Sequence, residues 1–222
     1  NLVSGGKLKE KGYLHWLTPN TGATNEVGFI LKGSGWRESL LGLFFNLKIA
    51  SNLWTSSEFD ANDAAIISIS YNAQTLIAYP SHNKIFGSSL RLFRTATATE
   101  QLLTDGQILP NDYTGNDGQK YNAVKIGTQI WLSENLIETK YRNGDPIVEV
   151  TNAAAWALLS TGARCSYDND EDYAHVCRKV AFENYPFKDP HTDLRSCSND
   201  LAIAVGYFQV ETKTNAIMTS LA

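Results

Sequence analysis

The chain of 222 residues carries 19 Lys and Arg against 23 Asp and Glu, a formal charge of −4, with 43% hydrophobic and 19% charged residues. That length can bury the core of one large or two small domains, and the composition is that of a folded protein. The acidic balance and the lack of a Lys/Arg cluster argue against a nucleic-acid face, which must neutralise phosphates. The longest apolar run, 40–45, falls far short of the roughly 20 residues that span a bilayer.

The chain opens at Asn1 with no charged-then-apolar leader, which reads as a processed product or a fragment. Gly33-Ser34-Gly35 lacks a following Gly-Lys-Ser/Thr and a βαβ setting, so a turn is expected there rather than a phosphate loop. Strands are expected at 64–71 and 75–79, parted by Asn72-Ala73-Gln74, because β-branched residues dominate both runs and Asn favours turns. Pro80-Ser81-His82-Asn83-Lys84 is expected to break the chain. A third strand is expected at 88–94, with Leu90 and Leu92 on one face and Arg91 on the other, completing an antiparallel meander.

Residues 99–116 read as a linker, small and polar at Thr95-Ala96-Thr97-Ala98-Thr99 and turned at Pro110-Asn111-Asp112. A hairpin is expected from 121–126 and 128–132, bent at Gly127, which supplies a positive φ without steric cost. Thr151 is the expected N-cap of a helix at 153–159 that Gly162 ends. Near the end, Leu201-Ala202-Ile203-Ala204-Val205-Gly206-Tyr207-Phe208 is apolar enough for one buried strand. Cys165, Cys177 and Cys197 are odd in number and fit no zinc spacing. They are expected as thiols, with a single bridge as the alternative.

Several multi-residue motifs carry a family resemblance. Gly5-Gly6-Lys7-Leu8-Lys9-Glu10, Trp16, Pro19-Asn20-Thr21-Gly22-Ala23-Thr24-Asn25, Gly28-Phe29, Trp54-Thr55-Ser56-Ser57-Glu58 and Ser89-Leu90-Arg91-Leu92-Phe93-Arg94 resemble the back half of the Fibrobacter succinogenes major paralogous domain (FISUMP). Asp117-Gly118-Gln119-Lys120-Tyr121, Val124-Lys125-Ile126-Gly127-Thr128-Gln129-Ile130-Trp131, Glu134-Asn135-Leu136, Tyr141-Arg142-Asn143-Gly144-Asp145, Trp156, Thr161-Gly162-Ala163 and Tyr167-Asp168-Asn169-Asp170 resemble its front half. The order is swapped. The family's middle segment, a Leu-Tyr-Asn-Trp-Tyr run followed by a Gly-Trp-His-Val-Pro-like stretch, has no counterpart.

The division that follows is a back half at 1–98, a linker at 99–116, a front half at 117–173 and an unassigned segment at 174–222. The resemblance implies an α+β, C-type-lectin-like fold with short antiparallel strands, long loops and one or two helices. Such folds occur in bacterial surface proteins and bacteriophage fibres, which places the chain outside the cell, on a virion fibre or a bacterial surface. Trp16, Trp36, Trp54, Trp131 and Trp156 are expected in the core.

Chemistry is sparse. His15, His82, His175 and His191 are scattered, with no Gly-x-Ser-x-Gly or His-Glu-x-x-His motif, so no catalytic residues are assigned and an enzyme is not expected. Asp168, Asp170 and Asp172 alternate as in a calcium loop, but Tyr173 stands where its glycine belongs and Lys179 where its glutamate belongs. No metal and no cofactor are expected. What remains is recognition by the loops at 58–63, 71–74 and 79–86, which offer Asp60, Asn62, Asp63, Tyr71, Asn72, Gln74, Tyr79, His82 and Asn83. Rings stack on apolar faces and amides both donate and accept, which suits a glycan or a protein receptor on a cell surface. The alternative is a ligand-free structural subunit of a fibre, a homo-oligomer whose halves pair between chains.

Overall fold

The computed structural model describes residues 4–170 and the backbone of 175–178. The chain begins with a short helix, α1 (Ser4–Leu8). A Cβ on Gly6 would collide with the Gly22 carbonyl, so only glycine fits where this helix meets the 20–24 loop. Beyond it, the Lys9 side chain is fully buried. Its ammonium donates to the carbonyls of Ser70, Tyr71 and Ala73 at 3.3, 3.3 and 2.9 Å and lies 5.3 Å from the centre of the Trp16 ring. Burial pulls its pKa to about 8.

Five strands follow: β1 (Ser34–Arg37), β2 (Phe44–Leu47), β3 (Ala50–Glu58), β4 (Asp63–Ser70) and β5 (Ile77–Asn83). They form one sheet in the order β2-β1-β3-β4-β5. All pairs are antiparallel except β1 with β3. The glycines expected to form a turn at 33–35 instead lead into β1. Gly35 has a φ of 62°, and a Cβ there would strike the Phe45 carbonyl of the paired strand.

The strand expected at 75–79 runs through the anticipated break to Asn83. Because β5 is an edge strand, the N–H that Pro80 lacks need not pair with a neighbour.

The expected third strand of the meander is corrected more deeply. Residues 87–89 make only isolated bridges, Arg37 with Gly87 and Leu53 with Ser89. The chain then crosses to a second sheet, where β6 (Phe93–Thr95) pairs with β9 (Gln129–Leu132). Leu90 and Leu92 are buried as expected, yet Arg91 does not face solvent; it is 1% exposed.

The second sheet has the order β6-β9-β8-β7. It includes β7 (Ile108–Thr114), inside the stretch read as a linker, and β8 (Lys120–Ile126). The turn-like Pro110-Asn111-Asp112 is a bulge. Asn111 has a φ of 52°, and the register shifts between Leu109 and Tyr113. Residues 99–116 are further fastened by Arg94, whose guanidinium grips Glu100 at 2.7 and 2.6 Å and Asp112 at 3.0 Å. The β8–β9 hairpin turns at Gly127 with a φ of 59°, as its sequence implies.

Helix α2 (Ala153–Leu158) is capped by Asn152 rather than Thr151, the Asn152 side chain accepting from the Ala155 N–H at 2.8 Å. It ends at an extended Leu159, three residues before Gly162. A two-stranded sheet of β10 (Ala163–Ser166) and β11 (His175–Arg178) closes the described part. The architecture is α+β, built mostly from strands with two short helices. Among the described residues no helix is long and apolar enough to cross a membrane.

Two apolar cores flank the β3–β4 pair, because successive residues of a strand point to opposite faces. Trp54, Ala64 and Ile66 pack with Leu90, Leu92, Tyr121, Leu132 and Leu136. Leu53, Ile67 and Ile69 pack on the other side with Trp16, Phe29, Val124, Ile126 and Trp131. Each core draws on residues before 98 and after 117. Trp16, Trp54, Trp131 and Trp156 are buried as expected, whereas Trp36 is half-buried. The apolar run 201–208 and Cys197 lie outside the described residues.

Candidate functional site

The candidate residues fall into two groups at opposite ends of the β4–β5 hairpin. Tyr71, Asn72 and Gln74 occupy the turn that joins the two strands. Tyr71 is half-buried against the second core, and its carbonyl accepts from the Thr21 N–H at 2.7 Å. The Gln74 carbonyl accepts from the Gly6 N–H at 3.0 Å. This end is where α1 and the 20–24 loop dock, and of the three candidates Asn72 and Gln74 are exposed.

Asp60, Asn62, Asp63, His82 and Asn83 gather at the other end, a β4 length away. Eight residues at about 3.3 Å each make that roughly 25 Å. A single surface of all nine residues is therefore not formed.

At this second end the backbone is tightly held. Asp60 Oδ1 accepts from the N–H groups of Asn62 and Asp63 at 2.7 and 2.8 Å, an Asx turn. The Phe59 N–H returns to the Asp63 carbonyl at 3.0 Å. Lys84, 2% exposed, reaches under the turn. Its ammonium donates to the Asp60 and Ala61 carbonyls at 2.7 and 3.2 Å and pairs with the Glu58 carboxylate. Ser81 donates to Asp63 at 2.5 Å, and Asn83 Oδ1 accepts from the Ile85 N–H at 3.0 Å. Turn and hairpin end are thus locked together by charge-assisted bonds.

On this frame the Phe59 ring is 62% exposed and Tyr79 is 45% exposed. Tyr79 pairs with Ile66, three residues along β4 from Asp63 and so about 10 Å from it. The side chain of Asn62 makes no hydrogen bond among the described residues, and the Asn83 amide nitrogen is likewise uncommitted. The surface can stack an apolar ligand face on its rings and hydrogen-bond hydroxyls or amides between them.

His82 stands apart from the display. Its ring packs between Trp54 and Phe86, with centroids 5.5 and 4.6 Å away, and its Nε2 is buried with no partner among the described residues. Burial holds its pKa below the ordinary 6.5, and the nearby Asp63 carboxylate opposes that shift only in part. A folded-state pKa below the unfolded value means the unfolded chain takes up the proton first. The stabilisation is complete above pH 6.5 and is lost as the pH falls through the lowered folded value. The melting temperature should therefore drop on acidification below 6.5, and the His82→Gln variant should lose that part of the slope. An unchanged slope in thermal melts would show that His82 is solvated.

Residue-type patterns pointed to the polar loops but missed Lys84, Glu58 and Ser81, which build the frame. Lys84 and Glu58 are 26 residues apart, and nothing local signals their pairing. Phe59, beside Asp60, was the one missed exposed group with a local signal, an aromatic inside a polar run. Among the described residues no group of three or more His, Cys, Asp or Glu side chains is placed to hold a metal ion. Asp168 and Asn169 form a left-handed turn with φ of 51° and 59°, while Glu171 and Asp172 of the acidic run lie outside the described residues. The Cys165 thiol is buried, and burial raises its pKa to about 11. No family model, no curated protein and no solved structure matches this chain.

Proposed function

We propose that the chain is a non-enzymatic recognition module that works outside the cell, on a virion fibre or a bacterial surface, and binds a glycan or protein receptor. The observation that carries this reading is the locked end of the β3–β4–β5 sheet, which holds Phe59, Asn62 and Tyr79 in the open, with Asn83 half-buried beside them, on a rigid frame. A rigid presentation lowers the entropy lost on binding, so exposed rings and amides there serve a ligand better than mobile ones. The carboxylates of Glu58, Asp60 and Asp63 favour neutral or cationic ligand groups over anionic ones.

The FISUMP-like, C-type-lectin-like assignment fits the roles of the motif residues. Trp16, Trp54 and Trp131 are core, Gly6 is sterically required, and Arg91 joins the two swapped halves. The fibre-subunit alternative, with halves paired between chains, would make the same β6–β9 pairing and the same core contacts between two chains instead of within one.

Glycan-array and whole-cell binding test the reading. Wild-type protein should bind, and Asn62→Ala combined with Tyr79→Ala should weaken binding at least tenfold with the melting temperature nearly unchanged. Equal binding by the double variant would remove this surface from consideration.

A further inference from the structure

The loop between β1 and β2 carries a second surface, unrelated to the receptor-facing end. Leu40, Leu41, Leu43 and Phe45 are 81%, 67%, 47% and 43% exposed. Single exposed leucines need no explanation, but four large apolar side chains within six residues form a patch that a soluble surface rarely leaves bare.

The loop cannot fold back to hide them. The Glu38 carboxylate accepts from the N–H groups of Leu40, Leu41 and Leu43 at 2.7, 2.5 and 3.4 Å. Arg37, fully buried, donates to the Gly42 carbonyl at 2.9 Å and to the Val150 and Thr151 carbonyls at 2.5 and 2.9 Å. A Cβ on Gly42 would collide with Ala153, so the loop is also wedged against α2. It is built to hold its leucines outward.

We propose that residues 201–208 of this same chain cover the patch. Three observations select that occupant. First, the described chain leaves the structure beside the patch. Arg178 lies opposite Ala163 in the β10–β11 pair, and Ala163 shares an apolar cluster with Trp156 and with Phe44 of β2.

Second, Leu201-Ala202-Ile203-Ala204-Val205-Gly206-Tyr207-Phe208 is a run of the right character downstream, with no charged side chain in it. The intervening stretch, 179–200, is about 22 residues and can reach roughly 70 Å, so distance is no obstacle. Third, a tethered segment acts at an effective concentration in the millimolar range, which outcompetes a second copy present at micromolar concentration.

The test uses the full chain with the photoreactive residue p-benzoylphenylalanine in place of Leu41, whose exposure lets the probe be accommodated; a second protein carries it in place of Leu40. After irradiation and trypsin digestion, the main crosslink should join the probe to peptide 196–213, released by cleavage after Arg195 and Lys213. Its yield should not change on tenfold dilution. Ile203→Asp in the same background should cut that yield at least tenfold. A crosslink that doubles the chain mass and fades on dilution would assign the patch to a second copy and overturn the proposal. It is equally overturned if neither probe labels 196–213, or if Ile203→Asp leaves the yield intact.

Discussion

Residues 1–104 and 105–222, expressed separately, should each fail to show a cooperative unfolding transition, and mixing them should restore one. The expectation rests on the shared cores. Trp54, Ala64 and Ile66 have their apolar face covered by Tyr121, Leu132 and Leu136, and Leu53, Ile67 and Ile69 by Val124, Ile126 and Trp131. Folded domains need at least two packed layers, and a single sheet with one bare face does not meet that requirement. The pairing of β6 with β9 also crosses the cut, so the second sheet would lose its edge strand.

Cutting between Thr104 and Asp105 keeps Glu100 with Arg94 on one side and Asp105 with Lys125 on the other. The cut severs the Arg94–Asp112 contact, a single ion pair set against two divided apolar cores. Circular dichroism melts of each fragment and of the equimolar mixture decide it. Two sharp, independent transitions with no mutual affinity would show that each half is a domain in its own right.

What could be read from the sequence was local. The β8–β9 hairpin is legible because Gly127 supplies the positive φ of its bend between two β-rich runs. Four of the five tryptophans are core because little surface accommodates so large a ring. What failed was decided by position in the sheet. Pro80 looks like a breaker and is harmless on an edge, while Pro110-Asn111-Asp112 looks like a loop and is a bulge inside β7.

The site was half-legible for the same reason. Turn-forming Asp60 and Asn62 announce themselves, but the ammonium of Lys84 beneath them is assigned by a fold that brings residues 24 apart together. Tyr71, Asn72 and Gln74 are of the same residue types and lie at the opposite end of the hairpin. The strand expected at 64–71 already separates the two turns, and only residue type groups them.

Arg91 is the residue that alternation placed worst, and replacing it should be the most costly single change in the molecule. Alternation with Leu90 and Leu92 puts it on the opposite face, and that face is not solvent but the seam between the halves. Its Nη1 donates to the carbonyls of Phe29 and, at 3.2 Å, Leu132; Nη2 donates to Ile30 at 3.0 Å and Nε to Asn135 Oδ1 at 2.8 Å. The guanidinium also stacks 4.4 Å from the centre of Phe29, whose edge meets Trp131. Burial lowers its pKa to about 9, so it remains charged at neutral pH.

Arg91→Met keeps much of the apolar stem and removes every donor, taking the guanidinium from the buried carbonyls of Phe29 and Leu132 and from the half-buried acceptors of Ile30 and Asn135. Stranding the buried neutral acceptors costs about 1–3 kcal/mol each, because an orphaned group retains its desolvation penalty. Arg91→Lys, which keeps the charge but not the planar fork, should lose less, since one ammonium can serve only part of the set. Urea denaturation at pH 7 measures both. A loss below about 1 kcal/mol for Arg91→Met would mean that water reaches the seam, and that the two halves are held together by their apolar cores alone.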